Sequence, residues 1–566
     1  MAEISKNPAQ ALSGLIEAGQ DALRKLTMPV PGGTELVSQL DPTRHIATAT
    51  KSILELHQSY IQTMSSLWSE TASVPAQETD KRFAGEAWRN DPRFEVLKRT
   101  YLAYADFLEK AVDAAPVDEK TRGQMRFAVR QFIDAMSPAN FFATNPEAMQ
   151  LALETGGQSL TEGIRLYFED VAKGRISMSD ESAFEVGRNL ATTEGAVVFE
   201  NDLMQLIQYA PSTATVYERP LLIVPPCINK FYILDLQPEN SFVRYAVTEG
   251  HTVFLISWRD TGPELGHLTW DDYLRSGVMQ AIDVALDVTS ADKVNALGFC
   301  IGGVLLSSSI AVQKANDQDM VASVTLLTTM LDYSDTGELG LLIDEQTVAA
   351  RDAAIGKGGL LHGKELATTF SSLRANDLIW PYVVNSYLKG KEPQAFDMLY
   401  WNSDSTNLPG PMFCWYIRNT YLENNLREPG KTIQCGVPVD LSSLDMPAYV
   451  YASHDDHIVP WRTAYETTQL VGPEVTFVLG ASGHIAGVVN PPAKKKRNYW
   501  AQGELSANAD QWLATAEKVP GSWWPNWSAW LEHPAGNKVA ASGVLGNKRY
   551  RVIEPAPGRY VKATAD

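Results

Sequence analysis

Val294-Asn-Ala-Leu-Gly298-Phe-Cys300-Ile-Gly302-Gly303 runs from one short apolar stretch into a second, Val304-Leu305-Leu306. Read as strand, G-x-C-x-G-G and helix, it lifts a thiol onto a sharp turn. Glycines flank it where a Cβ would strike the neighbouring strand or helix. The helix amino terminus behind Cys300 favours negative charge on its sulfur. A Gly-Cys-Gly turn alone is equally well explained by a buried structural cysteine, so the partners must come from elsewhere in the chain. A carboxylate follows in Ala448-Tyr-Val-Tyr-Ala-Ser-His-Asp455-Asp456-His457-Ile-Val459-Pro460, a strand entering a turn. Asp456 fits a D-x-x-V-P register there, and Asp455 lies one position off it. An imidazole comes last, in Phe477-Val-Leu-Gly480-Ala-Ser-Gly483-His484. His457 is its rival by proximity to Asp456 and better suited to packing. Thiol, carboxylate and imidazole make a nucleophile, an orienting acid and a general base, and the chemistry they support is acyl transfer through a covalent thioester.

Such a site needs donors for the developing oxyanion. One is the peptide N–H after the nucleophile, at Ile301. The second belongs to the loop after an early strand, where Val224-Pro-Pro-Cys227-Ile228-Asn-Lys230 stands. Ile228 N–H is the candidate, and an ordinary proline-containing strand exit explains the segment equally well.

The elements that must hold these groups read as α/β. Apolar runs at 221–224, 252–257, 294–297, 323–328, 448–451 and 474–479 are short, rich in Val, Ile and Leu, and alternate with helical patterns. That is the signature of a parallel sheet covered on both faces. Nucleophile, acid and histidine in that order along such strands define an α/β-hydrolase fold. Residues 201–566 are its catalytic domain. An insertion at about 331–446, too long for a loop and rich in aromatics such as Trp380, Trp401, Trp415 and Tyr416, reads as a cap over the carboxyl edge of the sheet. Residues 1–200 read as a mostly helical N-terminal domain; Leu97, Tyr101, Tyr104, Ala105 and Leu108 recur at helical spacing.

Composition narrows the setting. A length of 566 residues calls for two or more domains. The net charge of -19 speaks against nucleic-acid binding. Cys227, Cys300, Cys414 and Cys435 lack disulfide-framework or metal-ligand spacing, which fits a reducing compartment. Glu3, Gln10 and Glu17 interrupt the apolar run that a secretory signal needs, and no stretch is long enough to span a bilayer. Neither a dinucleotide loop, a P-loop nor a zinc signature is present, so no cofactor and no metal are expected. Lys494-Lys-Lys-Arg497 fits a solvated surface run better than a phosphate site. Trp523, Trp524, Trp527 and Trp530 have the spacing of packing aromatics.

GFCIGG, PPCINKFYILDL, RANDLIW with WNSDSTNLPGP, DDHIVPW and SGHIAGVVNPPAKKKRNYW together resemble the polyhydroxyalkanoate synthases, in order from about residue 190 onward. TEGAVVFEND, beginning at Thr193, is similar to the same family. Phe299 and Cys414-Trp415-Tyr416 resemble its single-subunit, class I type. The resemblance implies that Cys300 carries a growing polyester as a thioester. Coenzyme A then leaves from each (R)-3-hydroxyacyl-CoA, 3-hydroxybutyryl-CoA in particular, as part of the substrate rather than a cofactor. His484 would deprotonate Cys300, and Asp456 would either orient His484 or help activate the monomer's 3-hydroxyl. It also implies a homodimer in the cytoplasm at the surface of polymer granules, with residues 1–200 contributing to dimerisation and attachment. A thioesterase or polyester depolymerase of the same fold, or a granule-coat protein with a relict fold, are the competing readings.

Overall fold

The structure, a computed structural model, describes residues 51–68 and 80–565. The reading of Glu3, Gln10 and Glu17 lies outside the described residues. The chain forms two compact units, one of Met1–Glu181 with Ala367–Ala395 and the other of Ser182–Leu366 with Phe396–Asp566.

The first unit is helical. Its helices include α1 (Lys51–Trp68), α2 (Pro92–Asp113), α3 (Glu119–Ala135), α4 (Pro146–Glu154) and α5 (Gln158–Lys173). Their starts are written in the sequence: the Asp91, Asp118 and Asn145 side chains accept from the first free N–H groups, and a proline follows Asp91 and Asn145. Leu108, Val112, Met125, Val129 and Ile133 close the core between α2 and α3. Residues 367–395 belong to this unit rather than to the sheet domain. Gln131 Nε2 donates to Ser372 O at 2.7 Å, Asn376 Nδ2 to Asp134 Oδ1 at 2.6 Å, and the Tyr387 hydroxyl to Asp170 Oδ2 at 2.7 Å.

The second unit is built on an eleven-stranded sheet. Its strands are β1 (Gly195–Glu200), β2 (Met204–Tyr209), β3 (Leu221–Val224), β4 (Val253–Trp258), β5 (Val294–Phe299), β6 (Val321–Leu327), β7 (Ala448–Ser453), β8 (Val475–Gly480), β9 (Asn498–Ala501), β10 (Glu517–Pro520) and β11 (Glu554–Pro555). The spatial order is β10-β9-β8-β7-β6-β5-β3-β4-β2-β1-β11. The centre, β4 to β8, is parallel, and both margins are antiparallel. Strands β3 to β7 are buried along their whole length, apart from one half-buried position in β6. That is why they read as unbroken apolar runs. β1 and β2 are the departure from the sequence reading, which gave the chain up to about residue 200 to helices. GAVVFE and MQLIQY pair as an antiparallel hairpin that extends the sheet beyond β4.

Candidate active site

Helix α6 (Ile301–Ala315) follows β5 through a single residue, Cys300, with φ 55° and ψ −128°. That is a strained conformation for a residue with a Cβ, and it turns the side chain out of the sheet. The three glycines make the turn possible. A Cβ on Gly298 would lie 2.4 Å from Gly303 Cα, one on Gly302 2.3 Å from Val224 O, and one on Gly303 2.1 Å from Thr329 Oγ1. Cys300 N–H donates to Leu327 O at 2.9 Å, and Thr329 Oγ1 donates to Cys300 O at 3.2 Å. Thus β6 and the loop after it hold the elbow from the other side. Thr329 carries no motif and went unnoticed in the sequence.

Asp456 sits in the turn after β7. Its Oδ1 accepts from Ile458 N at 2.8 Å and Val459 N at 2.9 Å, which is the physical content of the D-x-x-V-P register. Its Oδ2 lies 2.7 Å from Nδ1 of His484. Asp455 points elsewhere, pairing with His454 on the surface at 2.7 Å. His484 opens the short helix α7 (His484–Val488) after β8 and is buried. The Phe299 ring stacks against its imidazole, with centroids 5.7 Å apart. Burial pushes the His484 pKa down, but the Asp456 charge, the Cys300 sulfur and the hydrogen bonds both make outweigh it and raise the value to about 10. The structure therefore brings Cys300, His484 and Asp456 together.

The tryptophans near the carboxyl end serve this histidine. Trp523 Nε1 donates to Gly487 O at 3.1 Å and Trp524 Nε1 to Val488 O at 2.9 Å, satisfying the carbonyls at the end of α7. Both indoles pack around Phe242 with Trp527, whose Nε1 reaches Thr325 Oγ1 of β6 at 3.1 Å. Lys494 to Arg497 lies exposed.

Ile301 is the first residue of α6, so its N–H is one of the helix donors with no intrahelical acceptor. Gly302 packs against Val224 O and Pro225 O, which puts the exit of β3 directly beside the elbow. In that exit Ile228 O accepts from Thr406 N at 3.2 Å, while Ile228 N–H has no acceptor among the described residues. Cys227, next to it, is buried; burial drives its thiol pKa far up, and the Cys300 sulfur adds to the effect.

A tyrosine wall completes the site. Tyr333, Tyr416 and Tyr421 pack edge to face, with Tyr333 and Tyr421 at 5.0 Å and Tyr416 and Tyr421 at 5.9 Å. The Tyr333 and Tyr416 hydroxyls are 3.2 Å apart. Burial holds all three phenols well above their ordinary range, and the neighbouring Cys300 sulfur contributes in the same direction. Tyr416 also stacks on Trp270 at 5.7 Å. Asp332 fixes the wall: it pairs with Arg427 at 2.6 Å and accepts from Asn424 Nδ2 at 2.9 Å, and Asn424 Oδ1 accepts from Tyr333 N at 2.9 Å. The sequence signal was the aromatic density of the insertion, which gave no hint that these three rings converge on the thiol.

Sheet order, elbow, acid turn and histidine helix define a protein of the α/β-hydrolase fold, with Cys300 at the strand-to-helix turn. Residues 220–491 match the family model described as alpha/beta hydrolase fold. Residues 79–246 match the one described as poly-beta-hydroxybutyrate polymerase (PhaC) N-terminus. The chain is 54% identical to the poly(3-hydroxyalkanoate) polymerase subunit PhaC of Cupriavidus necator over 535 residues, covering 93% of this chain and 91% of that protein. It is 40% identical to the Rhizobium meliloti protein of the same name over 532 residues, 93% of this chain and 87% of that one. A poly(3-hydroxyalkanoate) polymerase of Methylorubrum extorquens is 39% identical, with 100% and 96% covered. The chain belongs to the poly(3-hydroxyalkanoate) polymerase family.

Proposed function

We propose that this chain polymerises (R)-3-hydroxyacyl-CoA, with 3-hydroxybutyryl-CoA as the monomer, into polyester with release of coenzyme A. The observation that carries the reading is the Cys300 elbow acting on an imidazole that is itself held 2.7 Å from Asp456. His484 takes the thiol proton. The Cys300 sulfur attacks the thioester carbonyl, the N–H groups of Ile301 and Ile228 receive the oxyanion, and coenzyme A leaves with the proton from the imidazolium. Exchange of one thioester for another is nearly isoenergetic. The hydroxyl of a 3-hydroxyacyl unit then gives its proton to His484 and attacks the Cys300 thioester; the acyl–sulfur bond breaks, the imidazolium returns the proton to the Cys300 sulfur, and the exchange runs downhill to an ester. Asp456 orients His484 through this cycle.

Because water would divert the thioester to hydrolysis, the acyl group must be held in a dry site. The buried tyrosine wall supports that requirement. No cofactor takes part; coenzyme A is the leaving group. The enzyme acts in the cytoplasm as a homodimer at the surface of its insoluble product, a reading that the family resemblance supports.

Incubation with 3-hydroxybutyryl-CoA tests the reading. Release of coenzyme A together with insoluble polymer is expected, and Cys300→Ala should abolish both. Free 3-hydroxybutyrate as the sole product would make the chain a thioesterase or depolymerase, and undiminished polymer from Cys300→Ala would remove the thiol from the mechanism.

A further inference from the structure

The loop leaving β3 is held by hydrogen bonds from a segment far along the chain. Trp401 Nε1 donates to Lys230 O at 2.7 Å, Thr406 Oγ1 to Cys227 O at 2.7 Å, and Thr406 N to Ile228 O at 3.2 Å. With three carbonyls committed in this way, the peptide planes between Cys227 and Lys230 are fixed in orientation, and the Ile228 N–H with them.

At the end of this loop stands a buried cation. Lys230 is only 2% exposed, and its Nζ donates to the carbonyl of Ala563. Burial drives its pKa down, and the carboxylates of Asp404 and Asp260 oppose that. Both carboxylates are themselves tied to the same region, Asp404 Oδ2 accepting from the Tyr232 hydroxyl at 2.9 Å and Asp260 Oδ1 from Asn407 N at 2.8 Å. Ala563 is anchored too: it follows the turn Tyr560–Lys562, where Val561 is buried in the core and the Tyr560 hydroxyl donates to Asn201 O at 2.9 Å. A lysine is an expensive choice for a buried position when its only need is packing. A cation joined to a backbone carbonyl and facing two carboxylates is instead a tie between otherwise separate segments.

We propose that Lys230 is a positioning residue for acyl transfer, joining the Ala563 carbonyl to the loop and so fixing the Ile228 N–H beside Cys300. The proposal rests on the acyl-transfer reading above and on that N–H as the second oxyanion donor. Lys230 touches neither substrate nor thiol. Its loss therefore acts on the stabilisation of the tetrahedral intermediate and leaves thiol reactivity alone.

The test uses the full chain with Lys230→Met and Lys230→Arg, following coenzyme A release from 3-hydroxybutyryl-CoA and, separately, alkylation of Cys300 by iodoacetamide, which needs no oxyanion hole. Loss of one such donor is worth roughly 10²-fold in kcat, so Lys230→Met should lose up to about that much with KM and alkylation rate within about twofold. Lys230→Arg, which keeps charge and donor, should recover most of it. Ending the chain at Val561 removes the acceptor carbonyl and should add little to the loss in Lys230→Met. Wild-type kcat in Lys230→Met, equal losses in the Met and Arg variants accompanied by slowed alkylation, or fully additive truncation would each overturn the proposal. Absence of coenzyme A release from the unaltered chain would instead bring down the acyl-transfer reading, and this proposal with it.

Discussion

His484 is a buried imidazole between the Asp456 carboxylate and the half-buried Cys300 sulfur. Burial would make it a weak base; the Asp456 charge, the neighbouring Cys300 sulfur and the hydrogen bonds to both reverse that and raise its pKa to about 10. The surroundings thus favour the imidazolium, the form in which a proton from the Cys300 thiol would leave His484. Asp456→Asn keeps the shape and removes the charge, so kcat/KM for coenzyme A release should fall by about 10²-fold or more. The same substitution has a signature in stability. Because the folded value lies above the ordinary 6.5, the protonated imidazole's contribution is full below pH 6.5 and is lost as pH rises through about 10. Thermal unfolding of the unaltered chain should therefore lose Tm across that window, and Asp456→Asn should lose less; parallel curves would refute the electrostatic account. At this scale Cys300, Asp456 and His484 were legible because each stands in a turn whose glycines or register leave few other uses for it. Thr329, Lys230 and the three tyrosines were not. Their contacts span from 29 residues of chain, between Thr329 and Cys300, to 333, between Lys230 and Ala563, and nothing local distinguishes a tyrosine that faces a thiol from one that fills a core.

Two elements carry the geometry, the elbow and the histidine helix. α7 has five residues, too few to be stable by itself, and its last carbonyls are satisfied by indoles. Trp523→Phe keeps most of the packing and deletes the donor to Gly487 O, which has no other donor among the described residues. Leaving that carbonyl unpaired should cost about 1–3 kcal/mol, read as a lower midpoint in urea denaturation with unchanged slope. A midpoint equal to that of the unaltered chain would show that α7 does not depend on the indole. The central strands could be read from the sequence because both of their faces are buried, so apolar residues run on without alternation. β9, β10 and β11 lie toward the sheet's margins as short, mixed segments such as NYWA and EKVP, which pair through backbone groups that composition does not report.

The course of the whole chain holds a feature that periodicity could not show. After Leu366 the polypeptide leaves the sheet unit, contributes residues 367–395 to the helical unit, and returns at Phe396. The aromatic insertion expected as one cap, 331–446, is thus shared between two cores, since an amphipathic helix looks the same in sequence whichever partner covers it. Within the helical unit, residues 367–395 depend on groups supplied by α3 and α5, among them Gln131, Asp134 and Asp170, with Lys389 adding an ion pair to Glu147. A chain restricted to residues 182–566 keeps the sheet and every proposed catalytic group but strips this segment of all those partners. Its Asn376 and Tyr387 side chains lose their hydrogen bonds, and backbone that was protected becomes accessible. Limited proteolysis followed by mass spectrometry should locate the first cuts of the shortened chain within 367–395, at sites the full chain protects. Equal cleavage rates there in both chains would mean that the segment folds without the helices that surround it, and the two-core description of the insertion would have to be given up.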